Sequence, residues 1–351
     1  MSLLFNWKEI KDRSRGLTFD DVLIVPAKSA VRSRRDPSLE THLTKNFKIS
    51  IPLISANMDT VTESGMAIAM NSLGGLGILH RFMPIAQQLL EIKKIKESGA
   101  SLISASIGVG DEFKEHAKLL ITAGVNLLTI DIAHGHSIQM METMKWLKDN
   151  YPTVEIIAGN IATPEAALDL IESGADAIKV GIGPGSMCTT RIITGCGVPQ
   201  LTAIALCAAI AEPYGVPVIA DGGLRSSGDI VKALAAGAST VMLGNMLAGT
   251  HESPGEILDG KKKYRGMASK SAQVSWRGGV PEGMAAEGES TTMAIKGHVR
   301  EIILEITGGL RSGMSYINAH ELSEIREKAR FIEVSSSGMS ESHAHGLARP
   351  T

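Results

Sequence analysis

Aromatic residues make up only 4% of this 351-residue chain: six phenylalanines, three tryptophans and four tyrosines. Its core must therefore be packed with aliphatic side chains. Cysteine is scarcer still, at three, and without paired spacing these exclude a disulfide framework and a zinc ribbon. An excess of one charge is missing too, since 35 Lys and Arg against 37 Asp and Glu leave a net charge of −2. No basic field points to nucleic acid or to a membrane surface as a partner. No apolar run is long enough to span a bilayer. The start Met1-Ser-Leu-Leu-Phe-Asn-Trp-Lys8 meets a charge too early for a secretory signal. A cytoplasmic location is the expectation. What the chain has in quantity is glycine, at 37, and therefore many turns.

Eight short apolar segments run along the sequence: Leu53–Ser55, Leu76–Leu79, Leu102–Ser106, Leu127–Ile132, Glu155–Ala158, Ala177–Val180, Val216–Ala220 and Thr240–Leu243. Stretches of helical period lie between most of them, as at Ile85–Ser98, Glu112–Ala123, Pro164–Ser173 and Ser226–Ala236. Glu-Ser-Gly-Ala at 97–100 and 172–175, and Ala-Ala-Gly-Ala at 235–238, put a glycine where a left-handed helix cap is expected, immediately before the next strand. Alternation repeated eight times predicts an α/β fold, a (β/α)8 barrel spanning residues 1–351 as a single catalytic domain. A doubly wound open sheet is the alternative, weakened by the lack of a Gly-x-Gly-x-x-Gly opening. Residues 249–293 read as a long lid, and a tail begins at about Ser335.

Barrel active sites lie at the C-terminal ends of the strands, and the polar signals fall there. Asn57-Met-Asp59, His80-Arg81, Asp131-Ile-Ala-His-Gly-His136, Gly159-Asn160, Asp221-Gly-Gly223 and Gly244-Asn245 each follow an apolar segment. The strongest signal follows the sixth: Gly181-Ile-Gly-Pro-Gly-Ser-Met-Cys-Thr-Thr190, a cysteine closing a glycine-rich loop and followed by Arg191. Polar and cationic surroundings favour thiolate, so Cys188 is the candidate nucleophile rather than a small buried residue. Cys207, inside an apolar helical run, reads as core, and Cys196 is left undecided. Asp221 suits ribose hydroxyls, and Gly222, Gly223, Gly244 and Asn245 suit a phosphate. The His134–His136 pair lacks a third ligand for a metal and reads as a loop facing substrate or cofactor. The carbonyls of the loop at Gly183, Gly185 and Cys188 are candidates to hold a monovalent cation. Lys261-Lys-Lys263 reads as a solvated charge run.

The Cys188 loop with Arg191, Ala220-Asp-Gly-Gly223 and Tyr264-Arg-Gly-Met267 resembles the inosine monophosphate dehydrogenase / guanosine monophosphate reductase family. Leu17-Thr-Phe-Asp-Asp-Val-Leu23, Asn57-Met-Asp-Thr-Val-Thr-Glu63, Ala158-Gly-Asn160 and Gly308-Gly-Leu-Arg-Ser312 support it, from about residue 16 to the tail. The resemblance implies a (β/α)8 barrel, a homotetramer, and a Cys188 that attacks C2 of the purine. It implies that Ser55, Met58, Ser186, Asp221, Gly222, Gly223, Gly244, Asn245, Tyr264, Gly266, Met267 and Glu282 bind the nucleotide, GMP or IMP. It also implies that Arg81, Asp131, Ala133, His134 and Asn160 face the nicotinamide cofactor, and that potassium sits on the Gly183, Gly185 and Cys188 carbonyls.

Within the family the residues point to the reductase. Only residues 80–101 separate the second and third apolar segments, where typical dehydrogenases insert two CBS modules. The segment from Gly266 to Gly297 holds Arg277 but no tyrosine, where dehydrogenases carry an Arg-Tyr pair that activates water. Ala286-Glu-Gly288 matches the reductase lid turn, and Asn57 is the reductase residue. Ala133-His-Gly-His136, Val280-Pro-Glu-Gly283 and Glu341-Ser-His-Ala-His345 are instead dehydrogenase-like. The expected activity is NADPH-dependent reductive deamination of GMP to IMP and ammonia, with Thr190 and Glu287 handling the ammonia. The alternative is a CBS-less dehydrogenase that oxidises IMP to XMP with NAD.

Overall fold

The computed structural model describes residues 3–342 and 344. His343 and His345 of the dehydrogenase-like tail motif lie outside the described residues, as does the rest of the tail beyond them. Eight parallel strands close a barrel: β1 Leu53–Ser55, β2 Leu76–Leu79, β3 Ser104–Ile107, β4 Leu127–Asp131, β5 Glu155–Ile161, β6 Ala177–Val180, β7 Val218–Asp221 and β8 Thr240–Leu243. Each strand pairs with its sequence neighbour, and β8 returns to β1 with Val241 opposite Leu53 and Leu243 opposite Ser55. The expected barrel is therefore present, with boundaries shifted at four strands. β3 starts two residues later and ends one later than expected, β4 ends at Asp131, β5 continues to Ile161, and β7 is Val218–Asp221.

Five of the strands are buried along their whole length and the other three at all but one residue, which explains why they read as continuous apolar runs rather than alternating ones. Helices α1 Ser64–Ser72, α2 Ile85–Glu97, α3 Phe113–Ala123, α4 Ile138–Asn150, α5 Pro164–Glu172, α6 Thr190–Thr194, α7 Gln200–Ala211 and α8 Ser227–Ala235 connect them. Side-chain caps start several of these helices: Ser137 accepts from the Met140 N–H, Thr163 from Ala166 and Ser226 from Asp229. The expected helix-ending glycines Gly99, Gly174 and Gly237 have φ of +83°, +100° and +111°, a region only glycine enters freely.

The stretch read as an irregular lid is partly ordered. It contains a hairpin of β9 Lys261–Arg265 with β10 Ser290–Ala294, and between them helix α9 Lys270–Arg277. In α9 the Ser269 hydroxyl caps the first turn, and Gly278 ends it at φ +80°. The charge run is also not simply solvated: Lys262 is buried, its ammonium donating to the carbonyls of Thr250, His251 and Ser253. After the hairpin, α10 Val299–Tyr316 packs between α8 and α1 and fills the eighth helix position. Helix α11 Leu322–Lys328 follows. Phe331–Glu333 then joins Leu4–Phe5 and Val22–Ile24 in a small antiparallel sheet, which brings Phe19 and Asp20 to the mouth of the barrel.

Candidate active site

A cavity of about 830 Å³ opens at the C-terminal ends of the barrel strands, within the usual range for small-molecule sites. The Cys188 loop forms one wall. It leaves β6 at Gly181, whose φ is +154° and where an added Cβ would lie 1.9 Å from the Asp221 carbonyl oxygen. Only glycine lets the loop turn away so close to β7. Cys188 then stands half-buried just before α6.

The lid reaches this loop through its backbone. Residue 288 forms an isolated antiparallel bridge with residue 188, in which the Thr189 N–H donates to the Glu287 carbonyl at 3.1 Å and the Glu289 N–H to the Met187 carbonyl at 2.9 Å. That bridge delivers the Glu287 side chain to the neighbourhood of Cys188. The Cys188 thiol donates to Thr190 Oγ1 at 3.2 Å, and Thr190 Oγ1 donates to Glu287 Oε2 at 2.8 Å. Sulfur, hydroxyl and carboxylate thus form a continuous proton path.

A second cluster lies on the cavity floor. Lys179, in the middle of the apolar strand β6, is 2% exposed and extends its ammonium to Asp131 at 3.0 Å, to Asp221 at 2.8 Å and to Asn160 Oδ1. Asn160 also donates to Asp221 at 2.9 Å. Burial works against the charge on Lys179, but the Asp131 and Asp221 carboxylates outweigh it and raise its pKa above the ordinary lysine value. Burial likewise works against charge on Asp131, and the Lys179 and Arg81 cations overcome it, leaving its carboxyl below the usual range. The Asp131 carboxylate therefore stays ionised, and Lys179 holds both carboxylates in place.

Tyr264, on β9, meets Ser186 across the cavity at 3.0 Å. Burial pushes the phenol's pKa up, so the group stays protonated and able to donate. At Gly244 a Cβ would sit 3.2 Å from the Tyr264 oxygen and 3.3 Å from Met58 Sδ, so these three residues form one corner. On the opposite side, the Arg81 guanidinium lies 4.6 Å from the Phe82 ring centroid, and Phe82 meets Trp276 of α9 edge-on at 5.4 Å. Arg81 also donates to the Asp131 carbonyl at 3.1 Å.

Most of the expected site residues border this cavity: Cys188, Thr190 and Glu287; Met58, Ser186, Asp221, Gly222, Gly223, Gly244, Asn245, Tyr264, Gly266 and Met267; Arg81, Asp131, Ala133 and Asn160; and Gly183 and Gly185. Three expected residues are not brought to its wall. Ser55 is fully buried in β1, where its hydroxyl accepts from Thr62 at 2.8 Å. His134 and Glu282 are exposed outside it, and His136, beside His134, pairs with Asp169 at 2.8 Å. Sequence reasoning missed Lys179, Phe82 and Trp276 as wall residues. Lys179 had left a signal, as the only charge in an otherwise apolar strand.

The model of the "IMP dehydrogenase / GMP reductase domain" family matches residues 16–345. The chain belongs to this family. It is 43% identical over 390 residues to the inosine-5'-monophosphate dehydrogenase of Cryptosporidium parvum, covering 96% of each chain. With the dehydrogenase of the same name from Nitrosopumilus maritimus (strain SCM1) it shares 36% over 468 residues, covering 95% of this chain and 98% of the relative. With that of Bacillus subtilis (strain 168) it shares 37% over 480 residues, covering 97% of each. These relatives overturn the expectation of GMP reduction with NADPH, since they carry the name of the dehydrogenase. Thr190 and Glu287 are hydrogen-bonded beside Cys188, and a hydroxyl–carboxylate pair can exchange a proton with water as readily as with an amine.

Proposed function

We propose that this protein oxidises IMP to XMP with NAD. The continuous path Cys188–Thr190–Glu287 carries this reading. Cys188 loses its proton to solvent and attacks C2 of the purine as the thiolate, leaving Glu287 unprotonated for the later step. After hydride leaves C2, Thr190 and Glu287 take a proton from the water that hydrolyses the bond to sulfur, releasing XMP and the thiol. NAD supplies the hydride acceptor. The donor set fits such a group: Phe82 and Trp276 offer aromatic surface beside a cation, and the fixed Asp131 carboxylate offers an acceptor for ribose hydroxyls.

Asp221 is proposed to bind the substrate ribose. Ser186, Gly223, Gly244, Asn245 and Tyr264 are proposed to hold its phosphate, with Met58 and Met267 beside the base. The lid keeps bulk water from the sulfur until hydride has left. A monovalent cation on the Gly183, Gly185 and Cys188 carbonyls belongs to the same proposal. Among the described residues no group of three His, Cys, Asp or Glu is arranged to hold a metal, and neutral carbonyls suit a hard, singly charged ion. Homo-oligomer formation is proposed as well, since Ile192 is 84% exposed just beyond the nucleophile.

The test is absorbance at 340 nm with IMP and NAD, with XMP identified chromatographically. An increase with XMP as product supports the assignment. No increase, together with loss of absorbance when GMP and NADPH are supplied, overturns it.

A further inference from the structure

Along β9 successive side chains point to opposite faces. Tyr264 faces Ser186 and the cavity, so Arg265 faces the other way and is only 9% exposed. All three of its guanidinium nitrogens donate. Nε donates to both Asp59 oxygens at 3.3 and 3.1 Å, and Nη2 donates to Asp59 Oδ2. Nη1 donates to the Ser271 carbonyl at 2.7 Å, to the Ser271 hydroxyl at 3.0 Å and to the Ser275 hydroxyl at 2.9 Å.

The two ends of this fork touch different parts of the machinery. Asp59 follows Met58, which borders the cavity, and its own N–H points at Met267 Sδ at 3.2 Å. Ser271 and Ser275 lie on α9, and Ser275 directly precedes Trp276 and Arg277 on the cavity wall. Helix α9 has little else to hold it: only Ala272 and Gln273 are buried, and Val274 is 52% exposed.

We propose that Arg265 is a positioning residue that sets α9 over the cofactor side of the cavity by reference to Asp59 on the base side. This rests on the nucleotide reading given above. A buried ion pair is weak evidence for stability, because desolvation offsets its attraction. What the guanidinium supplies is a rigid fork that fixes the distance and angle between its partners, which an ammonium on a flexible stem cannot copy. Substrate-side and cofactor-side walls are thereby held at one spacing, and the residues that touch the two ligands never need to touch each other.

The experiment compares wild type with Arg265→Lys and Asp59→Asn, each first checked for an unchanged thermal midpoint. Three readouts are taken: the Kd for IMP without cofactor, KM and kcat for NAD, and acrylamide quenching of tryptophan fluorescence, with Trp276→Phe identifying the Trp276 contribution. The expected result for both variants is an IMP Kd within about threefold of wild type, a KM for NAD raised about tenfold or more, and Trp276 more accessible to quencher. Unchanged KM for NAD with unchanged quenching overturns the proposal. So does an equal weakening of IMP and NAD, which a merely structural residue would give. Failure of wild type to turn over IMP with NAD overturns the function reading instead, while the quenching comparison still decides the role of Arg265.

Discussion

The Thr190 hydroxyl donates to the Glu287 carboxylate at 2.8 Å, joining residues 97 positions apart in the chain. The thiol of Cys188 lies 3.2 Å from the same hydroxyl, so one threonine links the nucleophile to the lid.

Removing the carboxylate's basicity should therefore separate the two halves of the reaction. Glu287→Gln is expected to leave hydride transfer nearly intact and to slow hydrolysis by roughly 10²–10⁴-fold, the range for a lost general base. Rapid mixing should then show a burst of reduced cofactor of about one per active site, followed by slow turnover. Thr190→Val should give the same burst, and the double variant should be little worse than either, because the two act as a unit. Cys188→Ala should abolish both phases while leaving IMP binding, measured calorimetrically, close to wild type.

Two glycines test the backbone bridge. A Cβ on Gly288 would lie 3.1 Å from both the Met187 carbonyl oxygen and the Ser269 nitrogen, and one on Gly266 would lie 2.9 Å from the Met187 oxygen. Neither obstacle is the end of a flexible side chain. Gly288→Ala should slow hydrolysis by about tenfold, and Gly266→Ala by more, since a misplacement of about 1 Å can cost about 10²-fold. Steady-state kcat checks the order. No effect at Gly288 would mean that the bridge does not set the position of Glu287.

Lys179 should govern acid stability. The pKa of Asp131 is lowered in the folded state, so its contribution is present above about pH 3.9 and is lost as pH falls through the lower folded value. That of Lys179 is raised, so its contribution is present below about pH 10.4 and is lost as pH rises through the higher folded value. Lys179→Met leaves two carboxylates without their shared cation and should destabilise by about 3–5 kcal/mol at neutral pH. The gap to wild type should narrow toward about pH 4, as the variant's carboxylates take up protons. Denaturant midpoints across that range check this, and a gap constant with pH contradicts it.

The three thiols should react differently. Cys207 is buried and its thiol is pushed up to about 12 by burial, with Glu165 adding to the effect. Cys196 is exposed and Cys188 half-buried. Maleimide at neutral pH should label Cys196 and Cys188 but not Cys207, and IMP should protect Cys188 alone. Peptide mass mapping reads the outcome.

The barrel was legible because buried parallel strands and capped helices each leave a local pattern, as at Ala177–Val180 and at Gly174. Cys188 was legible as a candidate nucleophile because a glycine loop with one cysteine has few other uses. What escaped depends on contacts far apart in sequence. Arg265 and Asp59 are 206 positions apart, and nothing near either residue announces the pair. Lys179 was overlooked because a single charge in an apolar strand gains its meaning only from Asp131 and Asp221 on other strands. Glu282 was expected at the base from the family resemblance, yet the lid chain turns it outward and admits Met284 instead. The choice between the two chemistries of the family also escaped, because the missing CBS modules, the absent lid tyrosine and the Thr190–Glu287 pair were all read toward the reductase, while the relatives carry the dehydrogenase name.

The bridge between residues 188 and 288 is made by main-chain atoms. Main-chain hydrogen bonds are indifferent to most side chains, so many lid sequences could bring the glutamate to the same spot. A side chain placed in this way depends on the course of the main chain and not on the identity of the lid residues around it.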